Sequence, residues 1–323
     1  MGFQGDGAVL MAAVRRLLGL LVTLVLLTIV IFTLMQLVPG DPAAAMLGTA
    51  ATPEAVAALR AQLGLDQPVV LRYLAWVGGM LVGDFGTSIT YAAPVSGLIA
   101  ERLAVTLPLA FFAVALAVII GLPLGALSAA RPGGRVDWVA GLLCQLGLAV
   151  PNFWIGLLLI LTLSLGLAWL PAGGFPGWQA GILPAFGALS LPALALAIPQ
   201  SAVLARVTRG AVIEVMSEDF MRTARAKGCS RGQALLRHAL PNALIPIVTI
   251  LGLQLSFLVA GAVLVENVFT LPGLGRLAWQ ALAQRDFPVI QGVVLLLSLL
   301  VIGITLLVDL LYAVIDPRLR RGR

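Results

Sequence analysis

Long apolar stretches separated by shorter polar ones make up most of this chain of 323 residues. Six of them reach the length of roughly 20 residues that an α-helix needs to cross a bilayer. None alternates with the period of two that marks a membrane β-barrel, and backbone groups in lipid must be paired internally. The pattern therefore predicts an all-α membrane protein with six transmembrane helices. We expect these spans at about 17–38, 103–129, 136–167, 185–207, 243–265 and 289–315.

The first apolar stretch also has features of a secretory signal peptide. Arg15 and Arg16 precede it, and small residues that would suit cleavage follow at 43–45. It is longer than the roughly 7–15 residues of a signal peptide's apolar region, which favours a retained helix. Residues 1–16 would then be an N-terminal segment outside the bilayer, and residues 39–102, too polar to span, would form an insert with short helices.

Lysine and arginine are distributed unevenly over the polar segments. Fifteen lie on one side of the predicted membrane and five on the other, which accounts for all twenty. Because positively charged loops remain in the cytoplasm, both termini and the loop at about 210–241 are predicted to be cytoplasmic, and the insert external. Residues 103–315 then form the membrane core and 316–323 a basic cytoplasmic tail. The net charge of +6 reflects this orientation, so we expect contact with the lipid bilayer and none with nucleic acid.

Composition argues against several kinds of site. Hydrophobic residues make up 60%, charged residues 11%, and the mean hydropathy is +1.06, as in membrane proteins. The only lysine, Lys227, precedes Gly228 and Cys229, so the chain lacks the Gly-Lys-Ser/Thr of a P-loop. One histidine and two cysteines suggest no metal cluster. We predict no cofactor, metal or catalytic residue; a membrane-embedded enzyme built on Glu266 or Asp309 is the alternative from a different class.

The basic stretch 217–241 predicts two short helices that meet at Gly228. Ser217 is a candidate N-cap of the first helix, and Gly228 is the left-handed residue that ends it. Ser230 has Gln233 three residues later, the spacing of a capping box, and would start the second helix. The pattern predicts a compact structured loop between two membrane spans.

The first of these helices has a surface that suits a protein partner. Phe220, Met221 and Ala224 share one face, and Arg222 and Arg225 share a flank that can meet carboxylates. The middle parts of the predicted spans show no acidic or basic residues of the type that couples transport to an ion gradient. If the chain is a carrier, it therefore needs a partner protein to drive transport. The alternative is an ordinary basic loop that lies on anionic lipid.

The stretch 217–241 resembles the coupling (EAA) loop of ABC importer permeases, in which Glu-Ala-Ala, a later Gly and a Leu-Pro recur at fixed spacing. Here the glycine is Gly228 and the Leu-Pro is Leu240-Pro241. Arg222 stands at the Glu position and Thr223-Ala224 at the two alanines, which resembles the dipeptide, oligopeptide and nickel branch.

Short motifs along the rest of the chain resemble the B-type subunit of that branch. The Pro-Gly-Asp-Pro after the first span and the long insert distinguish it from the C-type partner. The motifs are Pro39-Gly40-Asp41-Pro42, Gly83-Asp84-Phe85-Gly86-Thr87-Ser88, Pro151-Asn152-Phe153-Trp154, Glu266-Asn267-Val268-Phe269, Pro272-Gly273-Leu274-Gly275, Arg285-Asp286-Phe287-Pro288 and Asp316-Pro317-Arg318.

The resemblance implies a type I ABC importer-like permease in the cytoplasmic membrane of a bacterium or archaeon, forming half of a translocation pathway. Its implied partners are a related C-type permease in a heterodimer, two ABC ATPase subunits that bind ATP and Mg, and an extracytoplasmic substrate-binding protein. The residues it assigns to ATPase coupling are Phe220, Met221, Arg222, Ala224, Arg225, Lys227, Gly228, Leu240 and Pro241.

Polar residues in the predicted spans suggest the route of the substrate. Asn152, Gln200 and Gln254 are the candidates for the pathway, because amides suit a peptide backbone; packing between helices is the alternative. A second group would dock the binding protein or form an external gate, unless it is a plain Pro/Gly turn. Its members are Glu266, Asn267, Pro272 and Arg276.

Di- and oligopeptides are the expected substrates of this branch. Nickel, a nickel chelate and glutathione are the alternatives. The one histidine, His238, lies in the predicted cytoplasmic loop, which argues against a bare metal ion held by this chain in the membrane.

Overall fold

The computed structural model describes residues 4–37, 41–48, 51–62 and 64–315. Pro39 and Gly40, the motif 316–318 and the predicted tail 316–323 lie outside these ranges. In the part described, helices account for nearly all regular structure, and one isolated β-bridge joins Thr87 to Pro94.

The helices are numbered in chain order. A π-helical segment, Ile160–Gly166, continues α7, another, Leu235–Ala239, continues α10, and a 3₁₀ turn covers Trp178–Ala180. The helices are α1 Gln4–Leu37, α2 Pro42–Leu47, α3 Pro53–Gln62, α4 Val69–Leu81, α5 Val95–Ala130, α6 Arg135–Ala149, α7 Asn152–Leu159, α8 Ile182–Ser217, α9 Asp219–Ala226, α10 Arg231–Ala234, α11 Leu240–Asn242, α12 Leu244–Val268, α13 Leu274–Gln284 and α14 Phe287–Ile315.

Four helical stretches within the described ranges are long and apolar enough to cross a membrane by themselves. Two further pairs qualify only as bent pairs, so the described chain has four to six spans, and six is the predicted number. The single stretches are Leu18–Leu37, Val95–Ala130, Ile182–Ser217 and Phe287–Val308; the pairs are Arg135–Ala149 with Asn152–Gly166 and Arg231–Asn242 with Leu244–Val259.

Proline has different effects at two places in the chain. Pro151 is extended (φ −60°, ψ 142°) and has no N–H to donate, so the chain turns by 102° between α6 and α7. The sequence predicted a kink here, and the observed turn is sharper. Pro192 and Pro199, in contrast, lie within one continuous α8 that reaches Ser217, ten residues beyond the predicted end of that span at 207.

The chain divides into two compact units. Of the described residues, those within 4–104 and 273–302 belong to the first unit, and those within 105–272 and 303–315 belong to the second. The first therefore joins the predicted insert to α13 and the beginning of α14, which the sequence had placed in the core. The physical reason is a buried apolar cluster within this unit that includes Val95, Ile99, Leu274, Leu277, Val289 and Val293.

Helix α4 packs beside α1 in the first unit. The hydroxyls of Thr28 and Tyr73 are 2.8 Å apart, and the rings of Phe32 and Tyr73 meet edge to face with centroids separated by 5.5 Å. Trp76 stacks obliquely on the same Phe32 ring at 5.7 Å. These aromatic contacts attach the insert to the first membrane helix.

In the second unit, α5 and α8 approach each other closely because glycine faces backbone. A Cβ on Gly121 would lie 2.8 Å from the carbonyl oxygen of Ser201, and one on Gly125 would lie 2.7 Å from Thr208 Cβ. Small residues allow this kind of close helix contact in membranes, where dispersion and hydrogen bonds replace the hydrophobic effect.

We expect Gly125→Ala to destabilise the protein, because the added methyl group enters space that Thr208 already occupies. Overpacking of this kind costs about 1–3 kcal/mol in the free energy of unfolding. The matched control is Gly210→Ala on α8, where a Cβ meets nothing within 4 Å. Thermal unfolding in detergent measures both variants. Equal melting temperatures would contradict the close packing at Gly125.

Candidate functional site

Helix α9, in the loop between the fourth and fifth predicted spans, begins one residue later than the sequence suggested. Ser217 is the last residue of α8 and its hydroxyl donates to the Glu214 carbonyl at 2.6 Å, so Ser217 is not the N-cap of α9. Glu218 takes that position with an extended backbone (φ −66°, ψ 150°). The prediction was wrong at Ser217 because α8 continues out of the apolar stretch before the chain turns.

The end of α9 confirms the predicted cap. Gly228 has φ +95°, its N–H donates to Arg225, and the N–H of Cys229 donates to Ala224, which together make a Schellman motif. The capping box is also confirmed, with Ser230 and Gln233 each donating a backbone N–H to the other's side chain. Local hydrogen bonds thus define where α9 ends and α10 begins.

The structure separates the apolar residues that were expected on one face of α9. Met221 is buried at 1% exposure within a cluster of the second unit, whereas Phe220 is 45% exposed and Ala224 is half-buried. Met221 therefore packs into the second unit and anchors α9, and its assignment to ATPase coupling stays a prediction. The exposed side of α9 presents Phe220, Arg222 and Arg225, and Arg222 lies 3.4 Å from the exposed Asp219 carboxylate.

Other residues assigned to coupling differ in exposure. Lys227 is the exposed C-cap residue of α9. Leu240 is half-buried against the same cluster as Met221, and Pro241 is exposed in α11, directly after the π-helical segment Leu235–Ala239.

Two of the three pathway candidates line one small cavity of the second unit, and the third is hydrogen-bonded to one of them. Asn152 and Gln200 line this space of about 200 Å³, and the Gln254 side-chain amide donates to the Gln200 carbonyl at 2.8 Å. Gln254 is 3% exposed, and its Oε1 has no hydrogen-bond partner among the described residues. Across the space, a Cβ on Gly261 would lie 3.2 Å from Asn152 Nδ2, so the amide closely approaches α12.

The residues proposed as a dock or external gate do not form one exposed surface. Glu266 is completely buried, and its carboxylate accepts a hydrogen bond from the Thr106 hydroxyl at 2.6 Å. Its side chain is therefore not part of an exposed surface here, and its assignment to a dock or external gate stays a prediction. Asn267, also in the second unit, donates to a carbonyl one turn earlier at 2.7 Å, and Pro272 is half-buried. Arg276 lies half-buried in α13 of the first unit.

Sequence reasoning missed an ion pair in the second unit whose carboxylate is buried and whose guanidinium is partly exposed. Asp137, in the first turn of α6, accepts from the hydroxyl of Ser128 at the end of α5 and from the Gly133 N–H at 2.7 Å. Arg209 of α8 donates to both carboxylate oxygens, at 2.6 and 2.8 Å. The group lines a cavity of about 710 Å³. A carboxylate just after the Arg-Pro-Gly-Gly turn was the available signal, but Arg209 had been interpreted only through its contribution to orientation.

A second buried carboxylate brings together two motifs of the first unit that are far apart in sequence. Asp286 is fully buried and accepts from the Ser88 hydroxyl and from the backbone N–H groups of Ile89 and Thr90, at 3.2 and 3.0 Å. The loop 83–94 is thereby held on the turn between α13 and α14. Only the tertiary structure shows that the two motifs form one structural element.

We predict that Asp286→Ala loosens this loop, because two backbone N–H groups and a hydroxyl lose their acceptor. An unsatisfied buried polar group costs about 1–3 kcal/mol. Chymotrypsin cleavage after the exposed Tyr91 measures the effect on the purified protein, and it should become faster. Glu101→Ala, which removes an exposed carboxylate from the same unit, is the control and should leave the rate unchanged. Unaltered cleavage of Asp286→Ala would show that the loop does not depend on this carboxylate.

Two family models match this sequence. The one described as "Binding-protein-dependent transport system inner membrane component" matches residues 121–321, and one described as "Binding-prot-dependent transport system membrane comp, N-term" matches residues 9–110. The first match alone covers more than half of the chain.

Curated relatives extend over almost the whole chain. A "Probable peptide ABC transporter permease protein y4tP" of Sinorhizobium fredii is 42% identical over 306 residues, covering 95% of this chain and 98% of that protein. A "Glutathione transport system permease protein GsiC" of Salmonella choleraesuis is 44% identical over 306 residues, covering 95% and 97%.

A solved structure shares the fold of part of the chain. It is described as "Inward facing conformations of the MetNI methionine ABC transporter" and aligns with a TM-score of 0.58 at 21% identity, covering 68% of this chain and 96% of that one. At this identity the likeness concerns the fold alone.

Proposed function

The chain belongs to the family of binding-protein-dependent transport system inner membrane components, and we propose that it carries di- and oligopeptides. As a member of this family it is a multi-pass permease of an ABC importer. It acts as a transport subunit without catalysis of its own. ATP and Mg belong to separate ATPase subunits in this proposal, and the chain itself holds no cofactor.

The observation that carries the mechanism is the position and construction of α9. This eight-residue helix follows α8 after one extended residue, is capped at its end by a Schellman motif and is anchored by the buried Met221. A short helix held in this way can be displaced as a unit by a partner. Its exposed Arg222 and Arg225 supply positive charge for acidic residues of that partner.

The proposed assembly has four kinds of subunit. A related C-type permease pairs with this chain as a heterodimer. Two ATPases bind the permeases, one at α9 of this chain and one at the equivalent helix of the C-type permease. A binding protein delivers substrate on the external side. ATPase closure then favours one of two permease conformations, because the ATPases contact α9 differently in each. Both termini and α9 lie in the cytoplasm of a bacterium or archaeon in this arrangement, in keeping with the distribution of arginine.

Peptides are supported as substrates by chemistry and by relatives. The side-chain amides of Asn152 and Gln200, which line the cavity, can exchange hydrogen bonds with a peptide backbone whatever its side chains, and Gln254, bonded to the Gln200 carbonyl, has an Oε1 without a partner among the described residues. One relative is named for peptides and another for glutathione, which itself contains peptide bonds, so glutathione is the second candidate. Nickel or its chelate has no comparable support from the relatives named here.

We expect the double variant Arg222→Glu/Arg225→Glu to insert normally but to lose transport driven by the ATPases. Both side chains are exposed, so reversal should not disturb folding, whereas it opposes an acidic partner surface. Peptide uptake and co-purification of the ATPases are the measurements. Arg131→Glu/Arg135→Glu, which reverses two exposed arginines outside the loop, is the control. Normal uptake by the double variant would rule out this surface as the coupling contact.

Gly228→Pro tests the same assignment independently of charge. Proline is confined to φ near −65° and cannot adopt the φ of +95° found at Gly228, so the end of α9 must change. We expect an inserted permease with impaired coupling of ATP hydrolysis to uptake. Wild-type uptake per ATP would contradict a mechanical role for the capped helix.

Replacement of Gln254 tests the pathway. Gln254→Leu has similar size but loses the bond to the Gln200 carbonyl and the free Oε1. We expect lower peptide uptake with unchanged co-purification of the ATPases. Gln145→Leu makes the same chemical change at an exposed position of α6 and should retain uptake. Equal uptake by the two variants would identify Gln254 as a packing residue only.

A further inference from the structure

Three neighbouring sets of contacts within the second unit connect α8 to other helices. They join α8 to α5, to the α5–α6 turn and to α9. The first is the glycine contact, in which Gly121 and Gly125 of α5 place its backbone against Ser201 and Thr208 of α8. Two helices that touch through backbone have little freedom to slide, because larger neighbouring side chains on either side would clash.

The second connection is the Asp137 cluster, which begins where the glycine contact ends. Asp137 joins the end of α5 through Ser128, the following turn through Gly133, and α8 through Arg209. The paired geometry of a guanidinium and a carboxylate specifies orientation as well as distance. The Asp137 side chain is 10% exposed and is shielded from water, whereas the Arg209 side chain is 40% exposed and partly open to it.

The third connection leads to α9. Arg209 lies eight residues before the end of α8, or about 12 Å along the helix. Met221 of α9 packs in one buried cluster with Ala129 of α5 and with Ala211 and Val212 of α8. The α5–α6 turn and α9 are therefore attached to the same segment of α8 from two sides.

We propose that Asp137 and Arg209 are positioning residues for energy coupling, which make the α5–α6 turn move together with α9. Displacement of α9 then reaches α5 and α6 as well as α8. An ion pair with a buried carboxylate and a partly exposed guanidinium contributes little net stability, because the cost of removing the carboxylate from water offsets much of the attraction. Its directional geometry suits the transmission of movement. The inference rests on the proposed contact of α9 with the ATPases.

The direct test is a distance measurement in the complete importer reconstituted in liposomes. Spin labels at Arg131→Cys in the turn and Ala226→Cys on α9, both exposed, report the separation after Cys144 and Cys229 are replaced by alanine. With the pair intact, we expect the same distance distribution with and without ATP. A distribution that changes with ATP in the otherwise wild-type protein would overturn the proposal.

Two variants then separate positioning from simple stability. Arg209→Lys keeps the positive charge but loses the guanidinium that donates to both Asp137 carboxylate oxygens. Asp137→Asn keeps the shape of the side chain but loses its negative charge. We expect each to make the label distance depend on ATP and to reduce uptake of radiolabelled dialanine per ATP hydrolysed. Arg206→Lys, at an exposed position one turn away, is the control with no change expected.

The outcomes are distinct from those of the proposed function. Reduced yield of Arg209→Lys with normal uptake per assembled complex would mean that the pair only stabilises the fold, and would refute positioning. ATPases that fail to bind the wild-type permease would refute the contact at α9 itself. Wild-type complexes that hydrolyse ATP with the binding protein but do not take up dialanine would refute the substrate, and the distance measurement would still decide the positioning role.

Discussion

Every backbone N–H and C=O group inside a bilayer needs a partner within the protein, and this requirement governs the described chain from α1 to α14. It explains why regular structure there is helical and why the interruptions are few. Where Pro151 cannot donate, the chain turns by 102° and a new helix starts at once. Where α5 meets α8, glycine allows backbones to touch, so that packing replaces the hydrophobic effect that lipid cannot provide.

The same requirement applies to side chains, and the buried carboxylates show how it is met. Asp137 accepts from Ser128, from the turn residue Gly133 and from Arg209. Asp286 accepts from the loop residues Ser88, Ile89 and Thr90, and Glu266 accepts from Thr106. Each carboxylate joins segments that are separate in sequence, and Asp286 holds a loop nearly two hundred residues away. A charge of this kind is costly to bury alone, so the partners and the carboxylate form one structural element.

Energy coupling, as proposed, uses the boundary between the membrane helices and water. Helix α8 continues beyond the apolar stretch to Ser217, and α9 follows after a single extended residue. Met221 holds α9 from within while Phe220, Arg222 and Arg225 remain outside. In this proposal, the exposed side of α9 contacts the ATPase, and the buried Met221 attaches α9 to the membrane helices that move.

Local patterns in the chain were sufficient for the fold class, the family, the end of α9 and the start of α10, but not for the N-cap of α9, which is Glu218 instead of Ser217. Apolar length predicts spans, and the Schellman motif at Gly228 and capping box at Ser230 involve residues at most five positions apart. The family resemblance, carried by motifs in order, is confirmed by the matches over most of the chain. Tertiary structure alone determined three other features: the burial of Met221 and Glu266, the grouping of α13 with the insert, and the pairs Asp137–Arg209 and Asp286–Ser88. They require segments distant in sequence to meet, and neither helical periodicity nor a count of charges specifies which partner a buried polar group will find.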